Sequence, residues 1–157
     1  MRIGTGVDAH PFAGGRPLVL GGVSIRHDEG LEGHSDADVL VHAIIDALLG
    51  AAGLGDLGGH FPAGDARFKG GDSITMLRTT AGLLAEAGYR IVNLDSVVIA
   101  QRPAVAPHRD PMCRRIAEAL GIEPGRVSVK ATTTDGMGFT GRGEGIAATA
   151  VALIDEA

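Results

Sequence analysis

Apolar residues fill most of residues 39–53, at Val39, Leu40, Ala43, Ile44, Ile45, Ala47, Leu48 and Leu49, and predict a helix buried on most of its surface. Ser35 reads as its N-cap, with Asp38 closing an S-x-x-D capping box. Asp36 and Asp38 then fall in the first turn, where the helix dipole favours carboxylates. Two further segments carry a helical period. One starts at Asp72, presents Ile74, Leu77, Ala81 and Leu84, and stops at Gly88; the other covers about residues 107–120, with Pro111 near its start and Gly121 at its stop. Strand patterns lie between them. Residues 2–9 place Ile3 and Val7 among glycines, residues 18–25 read as two strands around Gly21-Gly22, and residues 90–101 are rich in Ile and Val. In residues 127–132, Val127, Val129 and Ala131 alternate with Ser128, Lys130 and Thr132. Residues 146–154 have the alanine content of a helix, but Ile146, Ala148, Ala150, Ala152 and Ile154 alternate and predict a closing strand.

This interleaving predicts an α/β (α+β-like) fold, a single catalytic domain over residues 1–157 with a mixed β-sheet and helices on one face. Three helices cannot cover both faces of a broad sheet. In a chain this rich in Ala, Val and Ile, the other face is expected to pack against another subunit.

A formal net charge of -5 argues against a nucleic-acid backbone or an anionic membrane as partner, so an anionic ligand must be held locally. The lone Cys113 excludes an internal disulfide and reads as a small buried hydrophobe in a reducing compartment. No stretch has the pattern of a signal peptide or membrane span, and the expectation is a cytoplasmic protein. The 25 glycines are about twice the usual share and cluster beside polar residues, where backbone can approach a ligand closely.

Candidate chemistry begins at His42. Asp38, His42 and Asp46 recur at i, i+4, i+8, setting an imidazole between two carboxylates on one helix face. Such partners orient a metal-binding histidine, and they equally satisfy a core histidine. Asp8 and His10 point to one face of the first strand. With His42 they would make one carboxylate and two imidazoles with a fourth position open, the donor set of catalytic zinc. Residues 26–33 read as a flap delivering His34 and Ser35, with Gly30 and Gly33 as pivots, or as an ordinary surface loop. Asp56, in a glycine-rich turn, would either accept from substrate hydroxyls or cap the turn. Lys130 and Thr132 share the polar face of their strand, which opens into the glycine- and threonine-rich residues 132–145. This is not a Walker loop, since no Gly-Lys-Ser/Thr ending is present. Its amides and hydroxyls suit phosphate oxygens, and a hairpin connection is the plainer alternative.

The G-x-D-x-H, H-S-D-A-D-V-L-V-H-A and K-A-T-T-T-D-G-M-G-F-T-G-R-G-E-G-I-A stretches, with G-D-L-G-x-x-F-P and A-Q-R-P between them, closely resemble the 2-C-methyl-D-erythritol 2,4-cyclodiphosphate synthases, in order along essentially the whole chain. The resemblance implies a homotrimer with active sites between subunits, in the methylerythritol phosphate route to isoprenoids. It implies Zn2+ on Asp8, His10 and His42, and Mg2+ or Mn2+ as a second ion on Asp135. His34 and Ser35 would touch the phosphate end of the substrate. Asp56, Leu57, Gly58 and the turn of Phe61, Pro62, Ala63, Gly64 and Asp65 would hold the methylerythritol part. The cytidine diphosphate part would lie against Ala100, Gln101, Arg102, Pro103, Ala104, Val105 and Ala106, with Thr132, Thr133, Thr134 and Asp135 of a neighbouring subunit. Phe139 and Arg142 would line a cavity on the threefold axis that takes an anion or an isoprenoid diphosphate. His34 and Thr133 match the family's catalytic assignments, and Lys130 joins them as a charge-absorbing group.

The resemblance implies attack of the substrate's 2-phosphate on the β-phosphorus of its cytidine diphosphate arm, with loss of CMP. A phosphate oxygen is already anionic, so the protein's task is to position two repelling anions and absorb charge. A zinc phosphohydrolase and a non-catalytic trimeric binder of nucleotides or isoprenoid diphosphates are the competing readings. Three departures from the family pattern stand out: Asp135 replaces a longer glutamate, Ala37 replaces glycine in what reads as the first helical turn, and Ala63 and Gly64 replace more polar residues.

Overall fold

Bare backbone in the first strand is what lets the central helix lie directly on the sheet. In a computed structural model describing residues 1–157, β1 (Arg2–Ala13) turns Gly4 and Gly6 toward α1 (Val39–Ala52). A Cβ at Gly4 would stand 2.0 Å from the Ala47 carbonyl oxygen, and one at Gly6 1.9 Å from that of Ala43. Gly4 meets Ala47 and Ala51 whereas Gly6 meets Ala43, so strand and helix run in opposite senses. The next two positions on that face, Asp8 and His10, therefore arrive beside His42 near the start of α1.

The sheet has strand order β4-β1-β7-β5-β6, with β4 at Gly30–Leu31, β5 at Tyr89–Ile99, β6 at Val127–Thr132 and β7 at Gly145–Glu156. Only β5 and β6 are parallel, joined through α4 (Arg109–Leu120). The alternating C-terminal segment is indeed a strand, the middle one of the five, and Ile146, Ala148, Ala150, Ala152 and Ile154 form its buried face. A separate hairpin, β2 (Leu18–Leu20) and β3 (Val23–Ile25), turns through Gly21 and Gly22 at φ 58° and 72°, the left-handed pair that suits a two-residue turn. Asp72 caps α3 (Ser73–Glu86) by accepting from the Ile74 amide. Two single turns, α2 (Leu57–His60) and α5 (Gly138–Gly141), are too short to leave a period in the sequence.

One cluster of 37 buried apolar residues lies between the sheet and α1, α3 and α4. The fold is the mixed sheet with helices on one face that the pattern predicts. On the opposite face Ile3 and Val7 are 70% and 69% exposed in the single chain, and Val151 is exposed beside them.

Several local expectations are overturned. The N-cap of α1 is Asp38, which accepts from the Val41 amide, and Ser35 instead accepts from the Ala37 amide. Helical backbone begins only at Val39, so Asp36 is not in the first turn and Ala37, at φ 56°, is in the left-handed region rather than the helix. Within the expected flap of residues 26–33, the second half is tied down. Gly30 and Leu31 are buried and pair with β1, a Cβ at Gly30 would meet the Pro17 carbonyl oxygen at 2.4 Å, and Arg16 donates to the carbonyls of Gly33 and Ser35. Gly30 thus serves close packing, not pivoting. Cys113 is only half-buried, and burial pushes its thiol up.

Candidate metal centre and substrate cleft

Asp8, His10 and His42 converge at one end of α1. Asp8 Oδ2 lies 2.8 Å from His10 Nε2 and 3.1 Å from His42 Nδ1, and those two nitrogens are 3.3 Å apart. Burial pushes the Asp8 carboxyl up, but the hydrogen bonds and charges of His10 and His42 outweigh it and bring it down to about 2. Burial works against a charged His10, yet Asp8 and the Glu32 carbonyl raise its pKa. A divalent ion held at this point would stabilise the carboxylate in the same sense.

The outer nitrogens are fixed by hydrogen bonds. His10 Nδ1 donates to the Glu32 carbonyl at 2.7 Å, which leaves the lone pair of the neutral ring on Nε2, facing the centre. His42 Nε2 lies 3.0 Å from Ser73 Oγ and 3.3 Å from Ser35 Oγ. This donor set, one carboxylate and two imidazoles with their far nitrogens anchored, fits a divalent transition metal.

The carboxylates expected to flank His42 on its helix have other partners. Asp38 is fully buried and accepts from the amides of Gly21, Gly22 and Val41, so it binds the β2–β3 hairpin to the start of α1. Burial and the charge of Asp36 push its carboxyl up to about 6, against the pull of those amides. Asp46 accepts from the Leu57 amide at 2.7 Å and so seats α2. Neither bonds the His42 ring. A capping carboxylate turns toward free amides rather than along its helix, and the i, i+4 spacing cannot show that choice.

The centre opens into a cleft lined by Asp8, His10, His34, Ser35, His42, Asp46, Leu57, Phe61, Ala63, Phe68 and Met76. His34 Nε2 donates to the Asp65 carbonyl at 2.9 Å, joining residues 34–35 to the turn after Pro62. Asp65 itself is held down to about 2 by Arg67. Asp56 caps α2 by accepting from the Gly59 amide, and like Gly58, Pro62 and Gly64 it lies beside the cleft without lining it.

Within one chain a second depression gathers a different set: residues 100–106 with Arg109, Ala131, Thr132 and Thr133. Asp135 is not part of that lining; it stands at φ 54°, accepts from Thr133 Oγ1 at 3.2 Å, and is followed by Gly136, whose amide donates to Gln101. Thr134 bonds Thr140 and the Met137 carbonyl and thereby shapes the loop. Lys130 Nζ is 2.7 Å from Asp95 Oδ2. Phe139 and Glu144 line a third hollow with Ala9, His10 and Pro11, whereas Arg142 pairs with Glu144 at 2.9 Å and lines a fourth with Gln101 and Arg102. The sequence reading missed Ser73, Asp36 as its partner, Asp95, Phe68 and Met76. Ser73 follows the Asp72 cap directly and reads there only as the first residue of a helix.

The model of the YgbB family matches residues 1–155. A 2-C-methyl-D-erythritol 2,4-cyclodiphosphate synthase of Symbiobacterium thermophilum is 60% identical over 154 residues, covering 98% of each chain. One of Syntrophomonas wolfei is 57% identical over the whole of both chains. Among solved structures, the bifunctional IspDF of Campylobacter jejuni superposes with a TM-score of 0.96 at 41% identity, over 99% of this chain and 42% of that one. The Plasmodium falciparum IspF in complex with CDP gives 0.87 at 34%, over 99% and 96%.

Proposed function

This chain belongs to the YgbB family, that of the 2-C-methyl-D-erythritol 2,4-cyclodiphosphate synthases, and from that membership we propose how its residues close the cyclic diphosphate of the methylerythritol phosphate route. The substrate is 4-diphosphocytidyl-2-C-methyl-D-erythritol 2-phosphate. An oxygen of its 2-phosphate bonds the β-phosphorus while the bond from that phosphorus to the bridging oxygen breaks, and CMP leaves with the electron pair. No water is consumed and no redox change occurs, as in a phosphorus–oxygen lyase.

The observation that carries this reading is the Asp8, His10, His42 centre opening onto the cleft of His34, Ser35, Leu57 and Phe61. These three side chains would hold Zn2+, and Asp135 a second ion, Mg2+ or Mn2+; bound there, such ions neutralise phosphate charge and polarise the phosphorus under attack. His34 and Ser35 orient the phosphates, α2 and the turn of residues 61–65 enclose the methylerythritol part, and Lys130, Thr132 and Thr133 receive the departing phosphate. The Plasmodium relative's complex with CDP supports a cytidine diphosphate ligand, and residues 100–106 are the proposed contacts for it.

In one chain the two halves lie in separate depressions. That separation, with the exposed Ile3, Val7 and Val151, supports a homotrimer whose sites join the metal half of one subunit to the phosphate half of the next. Arg142 and Phe139 would then line the threefold axis and take an anion or an isoprenoid diphosphate.

The test is direct. With Zn2+, Mg2+ and the cytidylated 2-phosphate, the protein should release CMP and the cyclic diphosphate in equal amounts, with no 18O from labelled water in either. Incorporation of 18O would identify a phosphohydrolase instead.

A further inference from the structure

Behind the metal centre runs a chain of hydrogen bonds from separate parts of the sequence. Ser73, fully buried at the first position of α3, donates its hydroxyl proton to Asp36 Oδ1, while its own amide donates to Asp36 Oδ2 at 3.0 Å. The same hydroxyl oxygen lies 3.0 Å from His42 Nε2. A serine hydroxyl has one proton. Because Asp36 takes it, Ser73 can only accept from His42, so Nε2 must carry the hydrogen and the lone pair must be on Nδ1. Nδ1 is the atom beside Asp8 Oδ2 and His10 Nε2.

We propose that Asp36 and Ser73 are positioning residues that fix the His42 tautomer through an aspartate–serine–histidine relay and so set the affinity of the centre for its divalent metal. The inference rests on the reading of Asp8, His10 and His42 as metal ligands. Negative charge on Asp36 polarises the Ser73 hydroxyl, which makes its oxygen a better acceptor and Nδ1 a better donor to a cation. The relay also joins the loop before α1 to the N-terminus of α3, so ring orientation and helix placement are set together.

Asp36→Asn removes the charge behind Ser73 and one of its two acceptor oxygens. The single Asn carbonyl oxygen cannot serve both the Ser73 amide, which meets Oδ2, and the Ser73 hydroxyl and Asp38 amide, which meet Oδ1. Where the NH2 group faces Ser73 Oγ, the Ser73 proton turns to His42 Nε2 and the hydrogen of the neutral ring moves to Nδ1, where it blocks the metal; where the oxygen faces it, the hydroxyl is no longer polarised by a negative charge. Ser73→Ala removes the acceptor altogether, leaving only Ser35 Oγ at 3.3 Å.

The experiment is a zinc competition titration against a chromophoric chelator for wild type, Asp36→Asn, Ser73→Ala and His42→Ala, with circular dichroism to establish folding. The expected result is a roughly 10- to 100-fold loss of zinc affinity in Asp36→Asn and Ser73→Ala, an almost complete loss in His42→Ala, and recovery of turnover in the first two at saturating zinc. Wild-type zinc affinity in folded Ser73→Ala, with zinc lost from His42→Ala, overturns the relay while leaving the metal centre intact. Zinc retained by His42→Ala overturns the metal reading itself. Should Asp36→Asn fail to fold, Ser73→Ala decides alone.

Discussion

Lys130 and Asp95 are diagonal neighbours on β6 and β5, with Nζ 2.7 Å from Oδ2 and both side chains about half exposed. The lysine offered to substrate phosphate is therefore already neutralised by a carboxylate on its own sheet. Its hydrogen bond and charge hold Asp95 below the usual carboxylate range. For an acid depressed in the folded state, the stabilisation is complete above the unfolded pKa, about 3.9, and is lost as pH falls through the lower folded value. Asp95→Asn should cost at most about 1 kcal/mol at pH 7, given this exposure, and less at pH 3. It should also lower KM by freeing Lys130. Urea unfolding at the two pH values checks the first point; an equal loss at both would mean that Asp95 does not act through its charge.

Ala37 tests where α1 begins. In a first helical turn, Ala37→Gly would cost about 1 kcal/mol. At φ 56°, glycine instead relieves about 1–2 kcal/mol of left-handed strain, offset by the loss of one buried methyl, about 0.8 kcal/mol, and by chain entropy. The opposing terms nearly cancel, so the expected change lies within about 1 kcal/mol of zero. Ala37→Val should cost upwards of about 2 kcal/mol, because the site is fully buried and a β-branched residue resists this backbone. Thermal melts of both variants would show this, and a clearly destabilised Ala37→Gly would contradict it.

Asp135 has the left-handed backbone of a turn and a short carboxylate exposed to solvent. Mg2+ keeps several of its waters, so the missing methylene relative to glutamate can be bridged. Asp135→Asn should raise the Mg2+ concentration for half-maximal rate without depleting zinc. Measuring rate against Mg2+ decides it, and an unchanged curve would remove Asp135 from the second-ion site.

Sharing of the site between subunits is tested by mixing. Asp8→Ala lacks the metal half, and a Lys130→Ala, Thr133→Ala double variant lacks the phosphate half. Each alone should be nearly inactive. Unfolded, mixed in equal amounts and refolded, they should recover roughly one intact site in four under random assembly. Mixed trimers seen by mass spectrometry without any recovered activity would place both halves in one chain.

Local pattern alone determined the alternation of strands and helices, the cap at Asp72, the helix stops at Gly88 and Gly121, the Gly21-Gly22 turn, and the shared face of Asp8 and His10. Each depends on backbone preferences or a side-chain period spanning a few residues. Tertiary structure decided the partners. Asp38 and Asp46 looked like supports for His42, yet they serve amides 16 and 11 residues away at Gly22 and Leu57, whereas the hydroxyl behind His42 comes from Ser73, 31 residues on. A period specifies which face a side chain occupies but not what the chain brings against that face. A carboxylate near a helix start chooses among every free amide and hydroxyl within reach, and that set exists only once α3 and the β2–β3 hairpin have packed on α1.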